Sequence, residues 1–348
     1  MSQPVRFALA GFGAWGKLHA KSIRENTDAQ LVAICAPTEA TRAEARTAYP
    51  DAQIFTVPLE MIARGGFDIL DIVTPSHTHR EISVAALQSG CHVLLEKPMA
   101  TTLEDCKAIA AATDKSKGRL ALGHEFRLSS QWGEIKKIIE RGIIGEPQYV
   151  LVELLRRPYR LGAGGWRYDP ARVGSWVLEE PIHFFDLARW YLEGSGDPVE
   201  LYACGNSRDP QRPQLLDNFS AMFKYADGSY AVVSQTLAAF EHHQTVKVSG
   251  TKGAVWAGWS GPLDRTPEPA FFLKVFDGEK LEDVKLEKQS GEIFELRAEI
   301  ARCIEMVRQG RSPAATARDG LWSAGLCLVA EESIRRKRPL PVAELLNF

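Results

Sequence analysis

A glycine-rich hexapeptide near the start of the chain has the spacing of an anion-binding loop. It follows the apolar run Val5–Ala10, opens a helical pattern, and reads Gly11-Phe12-Gly13-Ala14-Trp15-Gly16. In a G-x-G-x-x-G loop the first glycine allows a tight turn, the second lets the backbone approach a pyrophosphate, and the third permits close helix–strand packing. The helix N-terminus adds free N–H groups and the positive end of its dipole. The loop therefore predicts a dinucleotide site, with all of its first five residues beside the cofactor.

The acidic residue that usually follows such a loop by about 20 positions is missing. The second apolar run ends in Ala36-Pro37-Thr38, and Arg42 follows. A carboxylate there would bind the ribose 2′-hydroxyl and repel a 2′-phosphate, so its absence removes that repulsion. Thr38 and Arg42 are candidates to hold a 2′-phosphate, whereas Thr38 or the backbone would suffice for NAD. Both NAD and NADP stay open as cofactors.

Two further apolar runs end in residues that can face a ligand. Thr74 and Pro75 follow the first of them, and Glu96-Lys97-Pro98 follows the second. The carboxyl ends of parallel strands are where open α/β sheets bind their ligands. A Glu-Lys pair by itself is more often a surface ion pair.

A later segment carries a candidate acid–base group. His183 follows Pro181, and Glu179 and Glu180 precede it. Residues four apart share one helix face, so a helix through this segment would present Glu179 and His183 to one substrate. Proline is tolerated only in the first turn, and a helix that begins at Pro181 would not assure this geometry. His183 is the best candidate base because imidazole titrates near neutral pH.

Arginines and aromatic residues precede this segment. Aromatic rings suit the apolar C–H face of a sugar, and guanidinium groups suit hydroxyl or acid groups. We expect substrate contacts from Arg157, Trp166, Arg167, Tyr168 and Glu180. The alternative for Arg156 and Arg157 is a solvated edge, and His242-His243 is predicted to lie in a surface connection. His77 and His79 lack a third ligand, so no metal site is expected.

Composition excludes several classes of protein. The 348 residues carry 42 Lys and Arg against 44 Asp and Glu, a formal charge of −2, so nothing favours nucleic acid or an anionic membrane as partner. The six cysteines show no C-x-x-C pair, which is typical of reduced thiols and not of a disulfide or zinc framework. No signal peptide and no run long enough to span a membrane is visible. A cytoplasmic location is expected.

The order of apolar and helical patterns predicts two domains. Up to about residue 124, short apolar runs alternate with helical patterns, which favours βαβ units and a parallel sheet. Beyond that point the strands alternate polar and apolar residues, with an Asp-Gly turn signal at Asp227-Gly228. Helices are predicted over 175–192, 294–308 and 319–336. The expected boundaries are 1–124 for a dinucleotide-binding domain and 125–348 for a substrate-binding and oligomerisation domain.

Several motifs resemble the Gfo/Idh/MocA oxidoreductases. They are Thr74-Pro75 with His79, Ala86-Leu87 with Gly90 and His92-Val93, Glu96-Lys97-Pro98, Gly142–Pro147, Trp166–Pro170, and the Gly174–Trp190 segment with His183. The resemblance implies an N-terminal Rossmann domain, doubly wound around a parallel sheet, and a C-terminal α/β domain with a large open, mainly antiparallel sheet through which dimers or tetramers form.

The resemblance also implies roles for individual residues. Lys97 and His183 would contact the substrate hydroxyl and handle its proton, with Glu179 in place of an aspartate that the family carries. The segment departs from the family at Glu179 and Pro181, where the family has Asp and Gly. Beside the cofactor we expect Thr74, Pro75, His79, Glu96, Lys97 and Arg127.

Three functions compete on this basis. The first is an NAD(P)-dependent oxidoreductase acting on a secondary hydroxyl of a sugar, inositol or glycoside. The second is a glycosidase that oxidises C3 transiently, eliminates the aglycone and re-reduces the product. The third is a nicotinamide-sensing regulator, which the presence of both Lys97 and His183 disfavours.

Overall fold

The computed structural model describes residues 3–346, which form two compact units. The first unit contains the chain through Glu125 together with Leu296–Leu321. The second contains Phe126–Glu295 and the chain from Trp322 onward. The second and third divisions fall inside two long helices, which each begin in one unit and end in the other.

The first unit is built on six parallel strands. They are β1 (Val5–Ala10), β2 (Ala29–Cys35), β3 (Gln53–Phe55), β4 (Ile69–Ile72), β5 (His92–Glu96) and β6 (Leu120–Gly123). Their order is β3-β2-β1-β4-β5-β6, so the direction of winding reverses between β1 and β4. Such a reversal opens a crevice at the carboxyl ends of the two strands, where doubly wound sheets bind dinucleotides. The predicted Rossmann architecture is confirmed.

Helices connect these strands. They are α1 (Ala14–Glu25), α2 (Glu39–Ala48), α3 (Pro58–Arg64), α4 (His79–Gln88) and α5 (Leu103–Lys115). Their starts follow local chemistry: Thr38 and Thr102 cap α2 and α5 through side-chain oxygens, and Pro58 occupies the first turn of α3.

The second unit contains a nine-stranded sheet. Its strands are β7 (Pro147–Arg156), β8 (Glu200–Asn206), β9 (Asn218–Lys224), β10 (Tyr230–Thr236), β11 (His242–Gly250), β12 (Ala254–Gly261), β13 (Ala270–Phe276), β14 (Leu281–Asp283) and β15 (Leu340–Pro341). The order is β14-β13-β12-β11-β7-β10-β9-β8-β15, and only the β7–β10 pair is parallel. Asp227-Gly228 turns the chain between β9 and β10, as predicted. The sheet is therefore mixed and mainly antiparallel, in agreement with the expected fold class.

The helices that follow β6 are α6 (Trp132–Glu140), α7 (Pro170–Val173), α8 (Pro181–Tyr191), α9 (Glu292–Gln309), α10 (Ala317–Arg336) and α11 (Val342–Leu346), of which α9 and α10 span the two units. Among them, α8 packs against β7 and β10 of the large sheet. Alternate residues of the central strands, such as Val152, Val233 and Val246, are fully buried. Among the described residues, no helix is long and apolar enough to span a membrane.

The sequence prediction placed every residue after 124 in the second domain, and this differs from the structure at Leu296–Leu321. The reason is the apolar face of α9. Ile300, Cys303 and Ile304 belong to the same buried cluster as Phe7 and Leu9 of β1. Burial of apolar surface is non-directional, so a periodic helix pattern does not indicate which core it joins.

Glu331 on α10 gives the second unit a pH-dependent stability. Burial raises its pKa to about 7, and the Ser175 hydroxyl donates a hydrogen bond to its carboxyl group. A carboxyl group whose pKa is higher in the folded than in the unfolded protein favours folding when it is protonated. This contribution is complete below the unfolded pKa of about 4.5 and is lost as the pH rises to about 7. We therefore expect the free energy of unfolding of Glu331→Gln to rise by about 2–3 kcal/mol relative to that of wild type between pH 5 and pH 8. Urea denaturation at each pH measures this difference.

The neighbouring Glu332 provides a matched control. Its side chain is partly exposed, and hydrogen bonds from Arg335 lower its pKa. The free energy of unfolding of Glu332→Gln should not rise relative to that of wild type as the pH increases. An equal pH dependence of Glu331→Gln and wild type would contradict the assignment.

Candidate active site

The glycine-rich loop joins β1 to α1 at the carboxyl edge of the parallel sheet. Gly11 has a φ of 104°, and a Cβ there would lie 2.4 Å from the Val73 carbonyl oxygen. A Cβ on Gly16 would lie 1.9 Å from the Gly11 carbonyl oxygen, whereas one on Gly13 would meet nothing within 4 Å. Gly11 and Gly16 are therefore required by the fold, and Gly13 leaves open space above the backbone.

The start of α1 fits a pyrophosphate. Gly13 is the N-cap residue and no side chain caps the helix, so the first-turn N–H groups can meet an anion. Phe12 points into the core, where its ring contacts Tyr49 edge-on at 5.9 Å between centroids. Phe12 can thus serve the dinucleotide only through its backbone. Ala14 is exposed, and the Trp15 indole donates to Glu96 Oε1 at 2.7 Å.

The end of β2 places the two candidates for a 2′-phosphate side by side. Thr38 caps α2 by accepting a hydrogen bond from the Thr41 N–H at 3.2 Å. Arg42 Nη1 donates to the carbonyl oxygens of Ala36 and Pro37 at 3.0 and 2.7 Å. Its Nε and Nη2 donate to Glu39 Oε2 at 3.1 and 2.9 Å. Four donor contacts of the Arg42 guanidinium are thereby used within the loop.

The ends of β4 and β5 are tied together by a histidine. Thr74 and Pro75 follow β4, and Thr78 Oγ1 donates to Thr74 Oγ1 at 2.8 Å. The buried His79 ring has its Nδ1 2.9 Å from the Pro98 carbonyl oxygen and its Nε2 2.9 Å from the Thr74 carbonyl oxygen. Burial lowers the pKa of His79. The ring thus fixes the two strand ends relative to each other.

Lys97 is the first residue after β5 and precedes a cis peptide bond to Pro98. Its side chain is half-buried, and Glu96 beside it is buried. Because β1 and β5 are parallel, Lys97 lies at the same edge of the sheet as the glycine-rich loop. This is the placement that the sequence predicted for it.

The helix that carries His183 is shorter than predicted. It begins at Pro181, whose missing N–H costs nothing in the first turn, so the expected helix over 175–192 is wrong for residues 175–180. Glu179 therefore lies ahead of the helix and does not share a helical face with His183. His183 is buried in the first turn, with its ring 4.7 Å from the Phe126 ring at 30°.

Glu180 is held by a buried cluster of polar side chains. Arg156 Nη1 donates to its Oε2, and its Oε1 lies 2.8 Å from His242 Nε2 and 3.1 Å from Gln244 Nε2. Burial alone would raise the pKa of Glu180, but the charges of His242 and Arg156 hold it well below its usual range. The Glu180 carboxylate is therefore buried and paired with side chains of the protein itself.

Arg156 is buried, so the alternative of a solvated edge does not hold for it. The predicted surface connection is wrong for His242, which lies buried in β11. The registers of β7 and β11 pair these two residues directly. Pairing between strands far apart in sequence brings them together, which a local pattern does not reveal.

The remaining predicted substrate residues differ in exposure. Trp166, Arg167 and Tyr168 are half-buried, whereas Arg157 is exposed. The Arg167 guanidinium lies 4.6 Å from the Trp166 ring centroid and its Nε donates to Glu179 Oε2 at 2.9 Å. Glu179, Arg167 and Trp166 thus form one contact network.

Arg127 lies in the second unit, where it pairs with a residue that the sequence did not single out. Its Nε and Nη2 donate to the two carboxylate oxygens of Asp186 at 2.8 and 2.7 Å. Among the ranges that the structure describes, no cluster of three or more His, Cys, Asp or Glu side chains suits a metal ion.

The comparisons with known proteins agree with this fold and with the dinucleotide loop. Residues 5–124 match the model of the oxidoreductase family with NAD-binding Rossmann fold, and residues 132–256 match the GFO/IDH/MocA C-terminal domain. The inositol 2-dehydrogenase of Rhizobium meliloti is 28% identical, with 97% of this chain and 99% of that protein covered. The myo-inositol 2-dehydrogenase of Thermotoga maritima is 26% identical, with 99% and 100% covered.

A solved structure is similar to the chain over nearly its whole length. The WlbA dehydrogenase from Bordetella pertussis, solved in complex with NADH and UDP-GlcNAcA, has a TM-score of 0.80 and 25% identity, with 97% of this chain and 99% of that chain covered. The two matched domains, in the predicted order, and the strand order of the first unit lead to one conclusion. The chain belongs to the GFO/IDH/MocA family of oxidoreductases, with an NAD-binding Rossmann domain.

Proposed function

We propose that this enzyme oxidises a secondary hydroxyl of a cyclic polyol or sugar, with inositols as the first substrates to test. The observation that carries the proposal is the position of Lys97, directly after β5 at the sheet edge that also holds the dinucleotide loop. Relatives that match over nearly the full chain are named inositol dehydrogenases. These names favour a net oxidation over the glycosidase alternative.

Each proposed catalytic group has one role. The Lys97 ammonium donates a hydrogen bond to the substrate oxygen and stabilises the negative charge that develops there. The His183 imidazole accepts the hydroxyl proton. The nicotinamide, when bound, supplies the acceptor for the hydride that leaves the carbinol carbon. Trp166 and Arg167 offer an apolar ring and a guanidinium to a polyol.

We propose NAD as the preferred cofactor because of the contacts at the end of β2. Arg42 has four of its donor contacts satisfied within the loop, and Glu39 pairs with both Arg42 and Arg46. The charges that would attract a 2′-phosphate are thus already neutralised. The Glu39 carboxylate, two-thirds exposed, would repel a 2′-phosphate and accept a hydrogen bond from a ribose hydroxyl.

A substrate panel tests this function. Purified enzyme with NAD or NADP is mixed with inositol isomers, aldoses, uronic acids and aryl glycosides, and absorbance at 340 nm is followed. We expect reduction of NAD with at least one cyclic polyol, and weaker binding of NADP by calorimetry. No reduction across the panel despite NAD binding would overturn the proposal, and aglycone release without net NAD reduction would favour the glycosidase.

We also propose that the uncovered face of the large sheet forms a homo-oligomer. The strand registers place seven large apolar side chains on this one face, each more than a third exposed. They are Leu155, Tyr202, Met222, Tyr230, Trp256, Phe272 and Phe276. Several large apolar side chains exposed on one sheet face favour a protein–protein interface. A second copy of the chain is the proposed occupant, since isologous pairing covers the same face on both copies.

Introducing charge into this face should separate the subunits. Trp256→Glu combined with Met222→Glu is expected to lower the molar mass measured by light scattering to that of one chain. Leu161→Glu is the control, because Leu161 is exposed in a loop outside the sheet. A wild-type chain that is already monomeric, or a variant of unchanged mass, would contradict the proposal.

A further inference from the structure

A buried cluster of ionisable side chains lies in the first unit below the glycine-rich loop. It comprises His19 on α1, Asp71 on β4, Glu96 on β5 and Glu299 on α9, and each is at least nine-tenths buried. His19 Nδ1 lies 2.8 Å from Asp71 Oδ2, and its Nε2 lies 3.1 Å from Glu96 Oε1. A buried charge is costly unless it is paired, so this group of side chains calls for a reason beyond packing.

Two side chains of α1 converge on the same carboxylate oxygen. Trp15 Nε1 donates to Glu96 Oε1 at 2.7 Å, and His19 approaches that oxygen from the next turn of the helix. Residues four apart lie on one face of a helix, and the two rings contact edge-on at 5.4 Å between centroids. On the other side, a Cβ at Gly123 would lie 3.3 Å from Glu96 Oε1. Glu96 is thus confined from two elements.

The charges of the cluster are mutually dependent. Burial alone would lower the pKa of His19, yet Asp71 and Glu96 raise it well above its ordinary value. Burial would raise the pKa of Glu96, but His19, Lys97 and Trp15 hold it below its ordinary value. The arrangement favours an imidazolium between two acidic side chains.

Other ionisable groups complete these surroundings. Burial, and next the charge of Glu96, raises the pKa of Glu299 well above its usual range. Burial and the charge of Glu299 do the same for the Cys303 thiol. Burial lowers the pKa of His79, although the Glu96 charge acts in the opposite direction. Burial also raises the pKa of Asp71, although the charge of His19 acts in the opposite direction. Of the two acidic partners of His19, only Glu96 adjoins Lys97 in the chain.

We propose that Trp15 and His19 are positioning residues that couple the dinucleotide loop to Lys97. The helix that starts at the loop holds Glu96, and Glu96 is the residue before Lys97, so an anchored loop keeps the Lys97 backbone in place. Displacement of a reacting group by about 1 Å can cost about 100-fold in rate. This inference rests on the proposed role of Lys97 in the reaction.

Two variants with different risks to folding test the coupling. Trp15→Phe removes the indole N–H that donates to Glu96 and leaves a smaller aromatic ring, and His19→Gln removes the positive charge while keeping an amide donor. We expect kcat to fall about 10-fold and about 100-fold, respectively, with the Kd for NAD changed by less than about threefold. The acid limb of the kcat–pH profile of His19→Gln should move to higher pH, because Glu96 loses the charge that lowers its pKa.

The matched control lies on the same helix. Lys21→Gln alters an exposed side chain paired with Glu25 and should leave kcat, the pH profile and Kd unchanged. A merely structural role would instead lower the melting temperature without a shift of the pH profile in the folded variants. Unchanged kcat in folded Trp15→Phe and His19→Gln would overturn the proposal.

An experiment that needs no turnover separates this inference from the proposed function. With ¹⁵N-labelled histidine, the NMR signal that disappears in His19→Gln should still report two protonated ring nitrogens at a pH where an ordinary histidine is neutral, with or without NAD. A neutral His19 under these conditions would refute the proposed imidazolium between Asp71 and Glu96 even if the enzyme oxidises polyols. A charged His19 in a protein without polyol activity would refute only the proposed function.

Discussion

Replacing His183 with Asn should lower kcat by about 10³-fold while the Kd for NAD stays within about threefold of wild type, because a positioned general base contributes about 10²–10⁴ in rate. His183 lies in the first turn of α8, buried against Phe126, whereas the dinucleotide loop belongs to the first unit. The measurements are stopped-flow turnover of the fastest polyol of the panel and calorimetric titration with NAD.

The pH profile separates loss of a base from loss of packing. In wild type, kcat/KM should rise with pH as an imidazole loses its proton, and this limb should disappear in His183→Asn. His183→Gln, whose longer side chain fills more of the space of the imidazole than asparagine does, should lose the same limb of the pH profile. His92→Asn is the matched control, since His92 lies at the start of β5, the end opposite Lys97. Unchanged kcat in a folded His183→Asn would remove His183 from the reaction.

Alanine at Gly13 and at Gly16 should have opposite consequences. A Cβ on Gly13 meets nothing within 4 Å, and the backbone there, with a φ of −79°, suits any residue. The added methyl group, however, takes up the space through which a pyrophosphate approaches the backbone. We expect Gly13→Ala to keep its melting temperature and to weaken NAD binding about 100-fold, equivalent to about 2.7 kcal/mol.

Gly16→Ala should instead damage the fold. Its Cβ would lie 1.9 Å from the Gly11 carbonyl oxygen, so helix and loop must separate, at a cost of about 1–3 kcal/mol or more. Differential scanning calorimetry should show a melting temperature lowered by several degrees. Gly194→Ala, also without neighbours within 4 Å, is the control for both. Equal effects at Gly13 and Gly16 would contradict the division of roles between them.

Local chemistry explains why much of the first unit was predictable. The G-x-G-x-x-G spacing, the apolar strands and the position of Lys97 after β5 depend on residues near each other in the chain. Backbone geometry and hydrophobic periodicity act over such short ranges. The start of α8 at Pro181 was likewise available from sequence, because a proline is tolerated only in the first turn of a helix.

The environment of the charged residues could not be predicted in the same way. Glu180 was expected at the substrate, yet Arg156 from β7 and His242 from β11 hold it inside the second unit. His19 follows the glycine-rich loop by three residues, and its partners Asp71 and Glu96 are 52 and 77 positions away. Its spacing from Trp15 was the only local signal.

The sequence by itself determined the parallel sheet, the dinucleotide loop and the family, since each is encoded in short segments with a physical requirement of their own. Only the tertiary structure decided which carboxylates are buried and paired, such as Glu180 with Arg156 and His242, and that α9 joins the first core. These properties depend on which distant strands and helices meet, and the desolvation and pairing of a charge arise only once they do.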